Sequence, residues 1–265
     1  MMRRLIFCVL ACATLTLHAH ADDLDVALDK LAPGPDRDAI LLGRNIVFDT
    51  PRYAAKYVSG GISCASCHIN GGRQAHASPW YGIVGVMPAY SARSATVASL
   101  EQRINECFRR SENGSPLPFG SAEMNGLLAY MSFISKGVPA GEFGPGRGMG
   151  KLAGADRPDA LHGKTIYGQK CAACHGANGG GLQSNGSYSV PPLWGDASYN
   201  IGASMARVGP AAAFIKHNMP LGQGDTLTDQ EALDVAYYVT RQPRPDLAGK
   251  AADWPNGGKP ADARY

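Results

Sequence analysis

Two mainly α-helical domains in tandem are what this 265-residue sequence predicts, on three observations. The pentapeptide C-x-x-C-H occurs twice, as Cys64-Ala65-Ser66-Cys67-His68 and as Cys171-Ala172-Ala173-Cys174-His175. The same order of features recurs around each copy, which is an internal repeat. Between the copies, PAGEFGPGRGMGKLAGADRP at 139–158 is dense in glycine and proline, lacks apolar periodicity and reads as a linker.

The chain opens with MMRRLIFCVLACATLTLHAHA, in which two arginines precede an apolar run and Ala19-His20-Ala21 matches a cleavage pattern. Residues 1–21 are therefore expected to be a signal peptide carrying Cys8 and Cys12, with a mature chain from Asp22 in the periplasm. A lipoprotein reading at Cys12 is the weaker alternative. No later stretch is apolar for long enough to span a membrane. The first domain then runs over 22–138, the second over 159–243, and a tail over 244–265.

Each pentapeptide is a c-type haem attachment motif. Two thiols one helical turn apart can add to the two vinyl groups of one haem, while the adjacent histidine reaches the iron from the same side. A thioredoxin-like redox pair or half of a zinc site are the alternatives, but the first rarely carries the histidine and the second needs partner ligands nearby. Two covalently attached haem c groups are expected, on Cys64 and Cys67 and on Cys171 and Cys174, with His68 and His175 as proximal ligands.

The repeat extends beyond the motifs. GRNIVF at 43–48 precedes the first and GKTIYG at 163–168 the second; Pro79-Trp80 follows the first, Pro192 and Trp194 the second. Each half closes on a helix, SAEMNGLLAYMSFIS at 121–135 and TDQEALDVAYYVTRQ at 228–242, the latter opened by a Thr228-x-x-Glu231 capping box. Ala129-Tyr130 and Ala236-Tyr237 sit at matching places. Each half therefore resembles a class I cytochrome c domain, with little or no sheet.

Such a domain supplies a second iron ligand about 40 residues after its histidine. In the second domain Met219, followed by Pro220, is favoured, with His217 and Lys216 as rivals. In the first domain the corresponding place holds Cys107, with Met87, only 19 residues past His68, as the rival. Ser99-x-x-Gln102 makes a capping box and Gly114 a stop, predicting a helix over 100–112. At about 100° per residue, Leu100, Ile104, Cys107 and Ser111 share one face, with Arg103 and Arg110 along one edge, Phe108 along the other and Arg109 pointing away. A small buried hydrophobe is the commonest fate of an unpaired cysteine. Beside arginines, however, its thiolate would be stabilised, and thiolate is the metal-binding form.

These segments resemble the dihaem thiosulfate dehydrogenases, with SoxA-type cytochromes as more distant relatives. The resemblance covers PRYAAKYV, CASCH, SPWYG, SARS, RINECFRRSENG, AYMSFIS, CAACHG and NMPLG, nearly all of the mature sequence. It implies a histidine/cysteine-ligated first haem as the catalytic site and a second haem that passes electrons outward. It assigns Cys107 as axial ligand, Arg93 and Arg103 as anion-holding residues and Ser111 as a polar neighbour. Some relatives carry a lysine just before the methionine of the second haem and exchange the two as ligands; here that position is Asn218.

The chemistry agrees. Two thiosulfate ions joined into tetrathionate release two electrons, one for each haem, in a couple that can run in either direction. Thiolate ligation lowers the first iron's potential and methionine raises the second's, so electrons run from first to second and on to a small c-type cytochrome or similar acceptor. Overall charge does not explain anion binding: without Arg3 and Arg4 the chain has 23 basic against 22 acidic residues. That balance suggests no nucleic-acid partner. Local charge can serve, since Arg73, Arg93, Arg103, Arg109 and Arg110 all follow the first motif, although each could instead pair with a haem propionate. A pure electron-transfer cytochrome and a SoxA-like sulfur-carrying subunit are the alternative functions. His76 and His162 are expected at the surface.

Overall fold

A computed structural model describes residues 19–184 and 187–265, and the expected signal peptide with Cys8 and Cys12 lies almost wholly outside them. The chain divides into two compact units, 1–32 and 33–265. Of the first, helix Ala19–Asp29 is described. Everything below concerns the second, in which both cytochrome-like halves lie.

The first half is built on helices Pro35–Phe48 and Ala122–Ile134. Proline at the first helical position and Asp36 and Asp38 in the first turn suit a helix N-terminus, where a missing N–H costs nothing and negative charge meets the dipole. The closing helix starts at Ser121, whose hydroxyl accepts from Met124 N at 3.2 Å. In the second half, helices Ala160–Lys170 and Asp229–Thr240 repeat the arrangement. Thr228 and Glu231 close the expected capping box in both directions, at 3.1 and 2.8 Å.

Both pairs cross at a glycine. A Cβ on Gly43 would lie 2.0 Å from Gly126 O, and one on Gly163 would lie 2.0 Å from Asp234 O. Only a residue without a side chain lets the two backbones approach this closely. The same contacts set the register of the repeat. Gly43 meets the Cβ of Tyr130 and Gly163 meets that of Tyr238, so the equivalent of Tyr130 is Tyr238, not Tyr237. Tyr237 is partly exposed beneath Arg241.

Sheet is confined to two small antiparallel hairpins among the described residues, Ala89–Ser91 with Thr96–Ala98 and Leu182–Ser184 with Ser187–Val190. The turn of the first hairpin carries Arg93. The Gly/Pro-rich stretch 139–158 has neither helix nor strand, yet it is not a free spacer. Gly141 N and Gly144 N donate to Gly85 O and Tyr81 O, and Gly146 O and Gly148 O accept from His76 N and Ser78 N, all at 2.8–3.0 Å. Ala153 N and Gly154 N then bond Asp229 at the start of the second closing helix. These bonds hold the stretch as a strap against the rest of the chain.

The tail returns to the first half. Trp254 N donates to Arg93 O at 2.7 Å, and Asp253 meets Arg110.

Candidate functional site

The two motifs share one local geometry. In each, the histidine N–H donates to the carbonyl of the first cysteine at 2.9 Å, His68 to Cys64 and His175 to Cys171. That single helical turn places both thiols on one side. The first copy is anchored by Thr50, whose hydroxyl accepts from Cys64 N at 3.1 Å and lies 3.4 Å from Cys64 Sγ. The second follows directly on helix Ala160–Lys170, with Cys171 N donating to Tyr167 O.

Each histidine ring is oriented by a carbonyl: His68 Nδ1 lies 2.8 Å from Ser78 O and His175 Nδ1 3.0 Å from Pro191 O. A carbonyl only accepts, so Nδ1 carries the proton and Nε2 offers a lone pair. Burial lowers both rings, His68 to about 4, so the neutral, metal-binding form prevails. Burial likewise pushes up the thiols of Cys64, Cys67 and Cys171, Cys67 to about 12 and Cys171 to about 11. None of the five cysteines among the described residues is in a disulfide. No three His, Cys, Asp or Glu side chains among those residues converge as a zinc site requires.

A cavity of about 380 Å³ opens against the second motif. Cys171, Cys174, His175 and Met219 line it, with an otherwise mostly apolar wall that includes Val235, Val239 and Phe214, and Cys67 of the first motif borders it too. Thiols, imidazole and thioether around apolar space are the donor set a covalent haem requires. Met219 lies just past helix Val208–Asn218 and faces this cavity. Its rivals are engaged elsewhere: Lys216 Nζ donates to Leu227 O at 2.6 Å, and His217 Nδ1 lies 2.9 Å from Asp225. Asn218 is buried, donating to Phe214 O and His76 O.

The Cys107 helix runs over Leu100–Arg110, two residues shorter than expected, behind a Ser99–Gln102 capping box closed in both directions. Asn113, with φ 47°, takes the left-handed position near its end. Gly114 serves a close approach instead: a Cβ there would lie 2.0 Å from Tyr57 O.

Cys107 is brought within electrostatic reach of Cys64 and Cys67, and Arg103 acts on both Cys107 and His68. The thiol itself departs from expectation. Burial raises its pKa, and although Arg103 and Arg93 pull it down, Glu112 and Glu106 add to the rise. The arginines do not outweigh burial, so they do not by themselves favour the thiolate.

The arginines divide. Arg103 is exposed, and its side chain makes no hydrogen bond or ion pair among the described residues. Arg93 is half-buried, donates to Gly202 O at 2.9 Å and stacks over Trp254. Arg110 is consumed by Glu106 and Asp253, and Arg109 points outward beside Glu106. Arg73 caps Asn70. Ser111 continues the Cys107 turn, its N–H donating to Cys107 O at 2.7 Å. Met87 follows the short helix Ile83–Val86 and leads into the first hairpin.

Three features were not anticipated. His76 is only partly exposed: its ring lies 4.4 Å from that of His217 and its Nδ1 is buried. His162 is exposed, but pairs with the buried Asp234 at 2.7 Å. Glu112, 2% exposed, faces Cys64 and is raised by burial to about 8, with Oε2 lacking a partner. Its place in the polar run SENG gives no sign of burial.

Residues 51–140 match the family described as SoxA/TsdA, cytochrome c domain, and residues 160–243 match the cytochrome c family. The chain is 44% identical over 240 residues to a thiosulfate dehydrogenase of Allochromatium vinosum, covering 86% of this chain and 89% of that one. It is 42% identical over 227 residues to a thiosulfate dehydrogenase of Psychrobacter arcticus, covering 85% and 69%. Among solved structures, the thiosulfate dehydrogenase TsdBA of Marichromatium purpuratum superimposes with a TM-score of 0.78 at 38% identity, over 82% of this chain and 48% of that one. This chain thus spans about half the length of that solved chain.

Proposed function

The chain belongs to the thiosulfate dehydrogenase family, and from that premise we propose that it joins two thiosulfate ions into tetrathionate in the periplasm and passes two electrons to an external c-type cytochrome or similar acceptor. It is an oxidoreductase acting on thiosulfate, built from two cytochrome c domains that imply haem c. Two S2O3²⁻ become one S4O6²⁻ and two electrons, with the new bond formed between the two outer sulfurs and no proton taken up or released.

Haem held by Cys64 and Cys67, and haem held by Cys171 and Cys174, would each supply a one-electron centre, matching that stoichiometry. The chain's own residues prepare the rest. The bonds to Ser78 and Pro191 fix His68 and His175 with Nε2 free for iron. Cys107 would supply a second ligand to the haem on the first motif and Met219 to that on the second, a pairing that would set the first potential below the second. Arg103, exposed beside Cys107, attracts the dianion to this face. Arg93, which also acts on the thiol, would be the second anion-holding cation, and Ser111 a polar neighbour.

The observation that carries this reading is Cys107, the one motif-free cysteine of the described residues, set beside the first motif and under Arg103. Steady-state oxidation by the isolated chain tests it. Two thiosulfate ions should disappear for each tetrathionate formed and two ferricyanide ions reduced, and Cys107→Ala should abolish the reaction. Haem-loaded protein that leaves thiosulfate unchanged would instead be an electron-transfer cytochrome.

A further inference from the structure

The arginines after the second closing helix form a site that the anion chemistry above does not use. Gly195 N and Ile201 N donate to Pro243 O and Pro245 O, at 2.8 and 3.0 Å, and so pin the backbone on either side of Arg244. The Arg244 guanidinium stacks 4.3 Å above the Tyr199 ring and donates from Nη2 to Val239 O at 2.9 Å. Its Nε and Nη1 are buried without a hydrogen-bond partner, and so is Nη1 of Arg264 near the C-terminus.

A buried guanidinium donor left unpaired costs the desolvation of a charged group. Here the cost is compounded by like charge. Arg264 is depressed by burial and then by Arg244 and Arg241, with only the Tyr199 phenol acting the other way. Three cations meeting around buried, unsatisfied donors call for an anion.

The position says which anion. Tyr199 is 5% exposed, and with Val239 it lines the cavity that also holds Cys171, Cys174, His175 and Met219. A c-type haem carries its two propionates on the pyrrole rings that do not bear the thioethers, so cations beside the attaching cysteines do not serve them. Lys170, next to Cys171, is at the wrong edge by this argument. Tyr199 is also within electrostatic reach of Cys67. It therefore lies by the thioether edge of a haem on the first motif, which leaves the haem of the second motif as the source of the carboxylate.

We propose that Arg244 and Arg264, arranged about Tyr199, form the site that binds a propionate of the haem attached to Cys171 and Cys174, and that they help set that haem's potential. The inference rests on the reading that both motifs carry haem. Positive charge beside the carboxylate favours the reduced, more negative state of the haem. Removing either guanidinium should therefore move the second haem's potential downward.

Spectroelectrochemical titration of the full holoprotein, with pyridine haemochrome assay of haem content, tests this. Arg244→Gln and Arg264→Gln should each lower the midpoint of the methionine-ligated haem, the double substitution should lower it further, and the other haem should keep its midpoint. Arg244→Lys, which keeps the charge, should recover most of the shift. Two haems per chain with both midpoints unchanged in Arg264→Gln, a change near the chain end, would overturn the proposal; so would a shift confined to the first haem. A wild-type midpoint that depends on added sulfate, with the dependence lost in the variants and the sulfate-free value unchanged, would mean a free oxyanion and also overturn it. A wild-type chain with fewer than two haems would overturn the underlying reading of function instead.

Discussion

Arg110 and Asp253, 143 residues apart, form a bidentate pair with Nη1–Oδ2 and Nη2–Oδ1 distances of 2.8 and 2.9 Å. Glu106 takes Nε of the same guanidinium at 2.6 Å, and the Tyr265 hydroxyl also bonds Asp253. Burial works against the arginine charge, but these partners outweigh it and hold the group firmly protonated. The C-terminal tail is thereby locked to the helix that carries Cys107.

Asp253→Ala should therefore cost about 1.5–3 kcal/mol, the value of charge-assisted hydrogen bonds to a group that stays buried. Urea denaturation of the holoprotein measures it. An unchanged midpoint would mean that the tail contributes nothing to the first half.

The helix crossings predict opposite outcomes for alanine at two glycines of one helix. Gly163→Ala puts a methyl 2.0 Å from Asp234 O and should destabilise by about 1–3 kcal/mol as the helices separate. Gly168→Ala, with nothing within 4 Å, should stabilise by about 0.5–1 kcal/mol through the better helix former. Thermal melts of the two variants should bracket the parent.

Met219→Ala should lower the second haem's potential and slow turnover, because a methionine ligand raises the potential of c-type haem. Thiosulfate should still reduce the first haem in a stopped-flow experiment with no acceptor present. Loss of that first reduction would mean that the two haems have exchanged roles.

Arg103→Ala should reduce kcat/KM for thiosulfate by about one to two powers of ten, equivalent to about 1.5–3 kcal/mol, with stability unchanged because the side chain is exposed. Arg93→Ala should lower both efficiency and stability, since it also removes the bond to Gly202 O and the stacking on Trp254. Saturation curves that match the parent while a haem potential shifts would reassign both arginines to propionates.

What could be read from the sequence was local. The two C-x-x-C-H turns, the Ser99–Gln102 and Thr228–Glu231 boxes and the paired closing helices depend on residues within a few positions of one another, so their spacing carries the signal. The stretch 139–158 reads as a linker from its glycine and proline content, but that content says nothing of the bonds from His76 and Ser78 that hold it. The Arg110–Asp253 lock, the His76–His217 contact and the burial of Glu112 are all long-range or set by packing, and no periodicity announces them. The Ala-Tyr dipeptides pair Tyr130 with Tyr237, one residue off the register that the glycine crossings set. Arg103 and Arg110 share one edge of the helical wheel, and tertiary partners separate them.

The role of Cys107 is tested most directly by near-infrared magnetic circular dichroism of the oxidised holoprotein. The account predicts a low-spin thiolate-to-iron charge-transfer band beside a histidine/methionine band, with the thiolate band absent and the other intact in Cys107→Ala. A wild-type spectrum with histidine/methionine signals alone would contradict it and make Met87 the first haem's ligand.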